Sequence, residues 1–260
     1  MKIYHGLFLH RCIINCNFKY LIAAALLALS CSEKHLDNGK DADGVVPSAT
    51  ATVYGVVSCG GKPVSGVVVS DGVDVVQTDK DGVYNLASPK KNSYVFISVP
   101  SGYCVKNPGL ASCMFWKTLK KNASQKERVD FTLVKENQSN FKMIVMGDIH
   151  LYSNTTASRF VSTFVTEVNR YVNYVSAEPV YGLTLGDMTW DWYWYENNFG
   201  IEQYLPHLNK LSGISVFNTV GNHDHDMNYN SKEEFLTTGE DWTCMKKYRT
   251  FQGPTCFSYN

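Results

Sequence analysis

The sequence carries no net charge: 24 basic residues stand against 24 acidic ones over 260 positions. Its first thirty positions contain Lys2, Arg11 and Lys19 but no Asp or Glu, so the remainder holds 21 basic and 24 acidic residues. A chain so balanced predicts no surface for nucleic acid or for an anionic membrane. The apolar run at residues 20–29 is about ten positions long, where a bilayer-spanning helix needs roughly 20. Beyond residue 31 no two cysteines stand at zinc-knuckle spacing, which removes the common structural zinc sites. Helical periodicity is missing from residues 51–134, and histidine is missing after His225.

With 44% apolar and 13% aromatic residues, the chain has enough material for one medium domain and a smaller one. The basic start, the short apolar run and the small residues Ala28-Leu29-Ser30 before Cys31 read as an export signal. They resemble the lipobox of bacterial lipoproteins, in which the cysteine becomes the lipidated first residue. That resemblance implies a signal peptide at residues 1–30, a lipid anchor at Cys31, a flexible tether over 31–50, and a membrane-anchored protein of the bacterial envelope, periplasmic or surface. The other reading is an ordinary secretory signal with an incidental cysteine. Of the remaining Cys59, Cys104, Cys113, Cys244 and Cys256, the local pair Cys104 and Cys113 is the first candidate for a disulfide in an exported protein, with buried free thiols as the alternative.

Residues 51–134 are short β-branched segments divided by turn residues such as Gly60-Gly61-Lys62-Pro63 and Asp79-Lys80-Asp81-Gly82. This predicts an all-β sandwich. The runs GKPVSGVVVSDG and TDKDGVYNL resemble the small carboxypeptidase-regulatory-like sandwich that precedes the catalytic domain in a bacterial group of calcineurin-like phosphoesterases. Lys117, Lys120, Lys121, Lys126 and Arg128 read as a solvated loop face. A polar linker near residue 138 ends this domain, giving 51–137.

The rhythm then turns to alternating strand and helix, an α/β arrangement. Strands are expected at 142–146, 180–185 and 214–220. Helices are expected at 157–175, capped by Thr155 or Thr156, and at 199–211. Each strand ends in glycine followed by polar residues: Gly147-Asp148-Ile149-His150, Gly186-Asp187 and Gly221-Asn222-His223-Asp224. Ligands gather at the carboxyl ends of strands in such sheets, and carboxylate, amide and imidazole donors suit zinc, manganese or iron.

Three such ends in order, 39 and then 35 residues apart, resemble the D-x-H, G-D and G-N-H-D motifs of calcineurin-like metallophosphoesterases. The resemblance implies an α/β/β/α sandwich, two divalent metal ions and a small phosphomonoester or phosphodiester substrate. Asp148 and His150 would bind the first metal, Asp187 would bridge both, and Asn222 would reach the second. His223 would donate a proton to the leaving oxygen, with Asp224 holding its ring in the useful tautomer. Asp191 either orients His223 or faces solvent. The family completes its site with a later histidine and a final G-H-x-H, so three ligands are expected to be absent and residues 138–260 to form an incomplete phosphoesterase domain of doubtful activity. His207 and His225 are poor substitutes. The closing run at residues 251–259 looks like the lead into the family's next strand. The aromatic cluster Trp190, Trp192, Tyr193, Trp194 and Tyr195 either lines a substrate pocket or packs its own loop. The competing reading for the whole chain is a non-catalytic envelope lipoprotein that binds glycan or protein.

Overall fold

The computed structural model describes residues 43–106, 109–229 and 243–259. The expected signal peptide, Cys31 and the expected tether up to residue 42 lie outside the described residues. Pro47–Asn260 is one compact unit, rich in sheet and with few helices.

Its first ten strands are β1 (Val53–Cys59), β2 (Lys62–Pro63), β3 (Val68–Ser70), β4 (Val75–Gln77), β5 (Val83–Leu86), β6 (Tyr94–Ile97), β7 (Tyr103–Cys104), β8 (Trp116–Thr118), β9 (Glu127–Arg128) and β10 (Phe131–Lys135). One sheet runs β2-β1-β10-β7, with β5 and β9 also on β1, and a second runs β4-β3-β6-β8. Val53, Val57, Val69, Leu86, Ile97 and Leu133 meet in one core, a sandwich-like arrangement that follows from the alternation of these short segments. Asp79 makes the turn before β5 by accepting the backbone N–H of Asp81 and Val83.

Residue 48, within the stretch expected to be a flexible tether, is held in place. Ser48 donates its N–H to the Asn85 side chain at 2.8 Å and accepts the Lys126 ammonium at 2.6 Å. The neighbouring lysines also have partners, since Lys117 donates to the Asp130 carbonyl and Lys121 to that of Lys126. Inside this loop Glu127 is buried and accepts the N–H groups of Lys120 and Lys121 and the Lys90 ammonium. Burial alone would raise its carboxyl, but these donors outweigh it and hold the group below its ordinary value of 4.5. A depressed carboxylate contributes stability above that ordinary value and loses it as pH falls through the folded one. Glu127→Gln is therefore expected to cost about 1.5–3 kcal/mol at pH 7 and less at pH 3.5, as urea unfolding at the two pH values would report.

The second half carries β11 (Lys142–Met146), β12 (Val180–Thr184) and β13 (Ile214–Phe217) in a parallel sheet of order β11-β12-β13. β12 and β13 are shorter than expected. After β13, Thr219 bonds to Thr184 through their side chains, so the chain leaves the ladder at Asn218. Between β11 and β12 lie α1 (Asn154–Phe160), a π-turn (Val161–Val165) and α2 (Thr166–Tyr174). The cap is Ser153, not Thr155 or Thr156: Ser153 and Thr156 form a reciprocal capping box, which starts the helix three residues earlier than its apolar stripe implies. The π-turn adds a residue to one turn and shifts the stripe, so Val165, Val168 and Val172 are buried while Val161, Phe164 and Val175 are only partly so.

The short α3 (Tyr193–Glu196) follows β12, and α4 (Ile201–Leu208) starts at Gly200, whose N–H is taken by Gln203. α5 (Lys246–Gln252) takes up the start of the closing run, and Tyr259 makes a single bridge to Val99. The face of the parallel sheet away from α2 shares the sandwich core through Tyr181 and Phe217, and Tyr259 stacks on Phe217 at 4.2 Å. Cys104 and Cys113 are free thiols. Burial pushes them up to about 11 and about 12, so they are protonated and inert at neutral pH.

Candidate metal centre

Register decides where the three glycine endings meet. Met146 pairs with Thr184 and Leu183 with Phe217, so all three parallel strands finish at one level. Past the strand ends, backbone bonds from His150 to Asp187 (3.0 Å) and from Leu151 to Met188 (2.9 Å) keep the first two loops zipped together.

The second and third loops touch backbone to backbone. A Cβ on Gly186, whose φ is +89°, would lie 2.4 Å from the Cα of Gly221, and a Cβ on Gly221 would lie 2.1 Å from Oδ1 of Asp187. Only glycine at both positions allows this approach. Three non-glycine residues nearby take the left-handed conformation: Asp148 (φ 52°), His150 (φ 51°) and Asp187 (φ 54°). Each such residue costs on the order of 1–3 kcal/mol and collects where function needs it.

These turns bring side chains together. His150 Nε2 lies 3.8 Å from Oδ1 of Asp148 and 4.0 Å from Oδ2 of Asp187. His150, Asp187 and His223 each offer a ligand-type atom within 4.8 Å of the others. Asp187 is nearly buried, whereas the side chain of Asp148 is 74% exposed. Asn222 opens the 3-10 turn Asn222–Asp224 and is exposed beside His223. One carboxylate and two imidazoles within 4.8 Å of one another make a borderline donor set that fits a divalent metal, and Asp148 stands at its exposed rim, 3.8 Å from His150.

Two expected roles change. His223 Nδ1 faces Oδ1 of Asp191 at 2.8 Å, so the ring is oriented by Asp191 and not by Asp224. Asp224 instead points into the protein, where one carboxylate oxygen accepts the N–H groups of Asp187 and Gly221, each at 2.9 Å. The 3-10 turn exposes N–H groups at its start, and the carboxylate three residues on is the nearest acceptor. Burial raises the Asp224 carboxyl to about 6, with the Asp187 charge adding to the rise and the N–H donors opposing it. Asp187 also serves the scaffold: its Oδ1 accepts the His223 N–H at 2.7 Å.

For Asp191, which the sequence allows either to orient His223 or to face solvent, the position four residues after Asp187 is the signal that points to the first. His207 packs on Phe199 in α4, and Nδ1 of His225 faces the Gly221 carbonyl at 3.1 Å. The aromatic loop divides. Trp194 is buried and donates its indole N–H to Thr189, while Trp190 stands against both His150 (5.2 Å between ring centroids) and His223 (5.8 Å).

Residues 51–136 match a family model described as the N terminal of calcineurin-like phosphoesterase. The match supports the calcineurin-like phosphoesterase family from a segment that contains none of the residues of the metal centre. No curated protein and no solved structure matches the chain.

Proposed function

We propose that this protein serves metal-dependent hydrolysis of a phosphomonoester or phosphodiester. The observation that carries the reading is the convergence of His150, Asp187 and His223 at the ends of three parallel strands. Asp148, His150 and Asp187 would hold a first divalent metal, and Asp187 and Asn222 would contribute to a second, zinc, manganese or iron being suited to these donors. Metals so bound supply Lewis-acid polarisation of the phosphoryl group and a nucleophile from water at neutral pH.

The chain's own residues do the rest. Asp187 spans the site, with one oxygen toward His150 and the other fixing the backbone of His223. Asp191 holds Nδ1–H of His223, which leaves Nε2 to carry the proton that the leaving oxygen needs. The parallel sheet with its helices is proposed as part of an α/β/β/α sandwich over residues 138–260, following a sandwich domain at 51–137. Export and a lipid anchor at Cys31 are proposed from the leader alone.

The test is hydrolysis of bis(p-nitrophenyl) phosphate by the full chain with Mn²⁺. Turnover that stops with EDTA and returns with added metal is expected, and a rate indifferent to metal would defeat the proposal. Asp191→Ala is expected to lower kcat by about 10²-fold while KM stays within about twofold, the pattern of a lost proton donor. Equal losses in both parameters would argue against this role for Asp191.

A further inference from the structure

Resting on the phosphoesterase reading, we infer that the substrate carries a flat ring on its leaving group, and that Trp190 and Tyr152 form the wall that takes it. The loop after β12 is anchored without them. Trp194 is buried, gives its indole N–H to Thr189 and lies under the Lys247 ammonium at 5.3 Å. Tyr195 gives its hydroxyl to Asp226 at 2.6 Å. Those two rings and the bond from Tyr193 N–H to the Trp190 carbonyl at 2.9 Å account for the loop's conformation.

Trp190 and Tyr152 are placed differently. The bridge between Leu151 and Thr189 sets Tyr152 and Trp190 next to each other on adjoining loops, with ring centroids 6.3 Å apart. Trp190 stands nearly perpendicular to His150 (89°), to Tyr193 (89°) and to Tyr152 (87°). It therefore borders both a proposed metal ligand and the proposed proton donor, and Tyr152 extends the wall outward with 36% of its surface exposed. A leaving group whose oxygen receives a proton from His223 lies beside Trp190, whose ring adjoins that of Tyr152. Partly wet aromatic surface at that point favours a leaving group with a π face over a small polyol.

The probes are methylphosphonate and benzylphosphonate, titrated calorimetrically into the full chain with Mn²⁺. Benzylphosphonate is expected to bind about tenfold more tightly, within the range of a single ring stack. Trp190→Ala should bring the ratio of affinities toward one, Trp190→Phe should keep most of it, and Tyr152→Ala should reduce it severalfold. Equal affinities in the unmodified chain, or a preference that survives both Trp190→Ala and Tyr152→Ala, would overturn the inference while leaving the phosphoesterase reading standing. Binding of neither phosphonate would defeat both.

Discussion

Asp187→Asn is expected to leave the protein folded yet remove metal binding and lower phosphodiester hydrolysis by about a thousandfold, about 4 kcal/mol in the barrier. The reason is the division of labour between its two oxygens. Oδ1 accepts the His223 N–H, a task the asparagine carbonyl can keep, whereas Oδ2 faces His150 at 4.0 Å, where an amide NH₂ would offer a donor in place of a ligand. Asp187→Ala should lose the His223 anchor as well. Thermal unfolding beside a Mn²⁺ titration of both variants separates the two tasks. Unchanged metal binding in Asp187→Asn would remove Asp187 from the ligand set.

The second large effect concerns Asp224. Its folded carboxyl is raised from 3.8 to about 6, so its contribution to stability is fully present below pH 3.8 and is lost as pH rises through about 6. In metal-free protein at pH 7, Asp224→Asn is therefore expected to stabilise the fold by about 2–3 kcal/mol. The asparagine oxygen can still accept the N–H groups of Asp187 and Gly221. Asp224→Ala leaves both donors unpaired, that of Asp187 buried and that of Gly221 partly so, and should be less stable than Asp224→Asn by about 2–4 kcal/mol. Chemical denaturation between pH 4 and 7 would also show a flatter profile for the asparagine variant. Equal stability of the two variants would mean that the carboxylate does not hold the turn.

Two of the three strand endings were legible because their signals are local, whereas β13 stops three residues short of its expected end at 220. An apolar run followed by glycine sets β11 at its expected bounds and β12 within one residue of them. Glycine at 186 and 221 marks the close approach that brings Asp187 and His223 into contact. The sandwich was legible for a similar reason, since turn residues such as Asp79 fix their hairpins through neighbours two and four positions away.

What escaped the sequence depends on contacts between distant positions. Asp224 follows His223 directly, and the resemblance to the G-N-H-D motif implied that it orients the ring. The 3-10 turn instead directs its carboxylate inward to backbone N–H groups, and Asp191, 32 positions earlier, reaches the ring. The π-turn at Val161–Val165 has no sequence signature comparable to a cap. Cys104 and Cys113 stood between a disulfide and buried free thiols, a choice that local spacing does not decide, and both are buried thiols.

Metal binding at the strand ends is the property on which the proposed activity depends. Calorimetric titration of the full chain with Mn²⁺ should show one tight site built on His150 and Asp187, and His150→Ala should weaken it by about a hundredfold or more, the upper end of what the loss of even an outer partner costs. No bound metal in the unmodified chain, or binding that His150→Ala leaves untouched, would contradict the assignment.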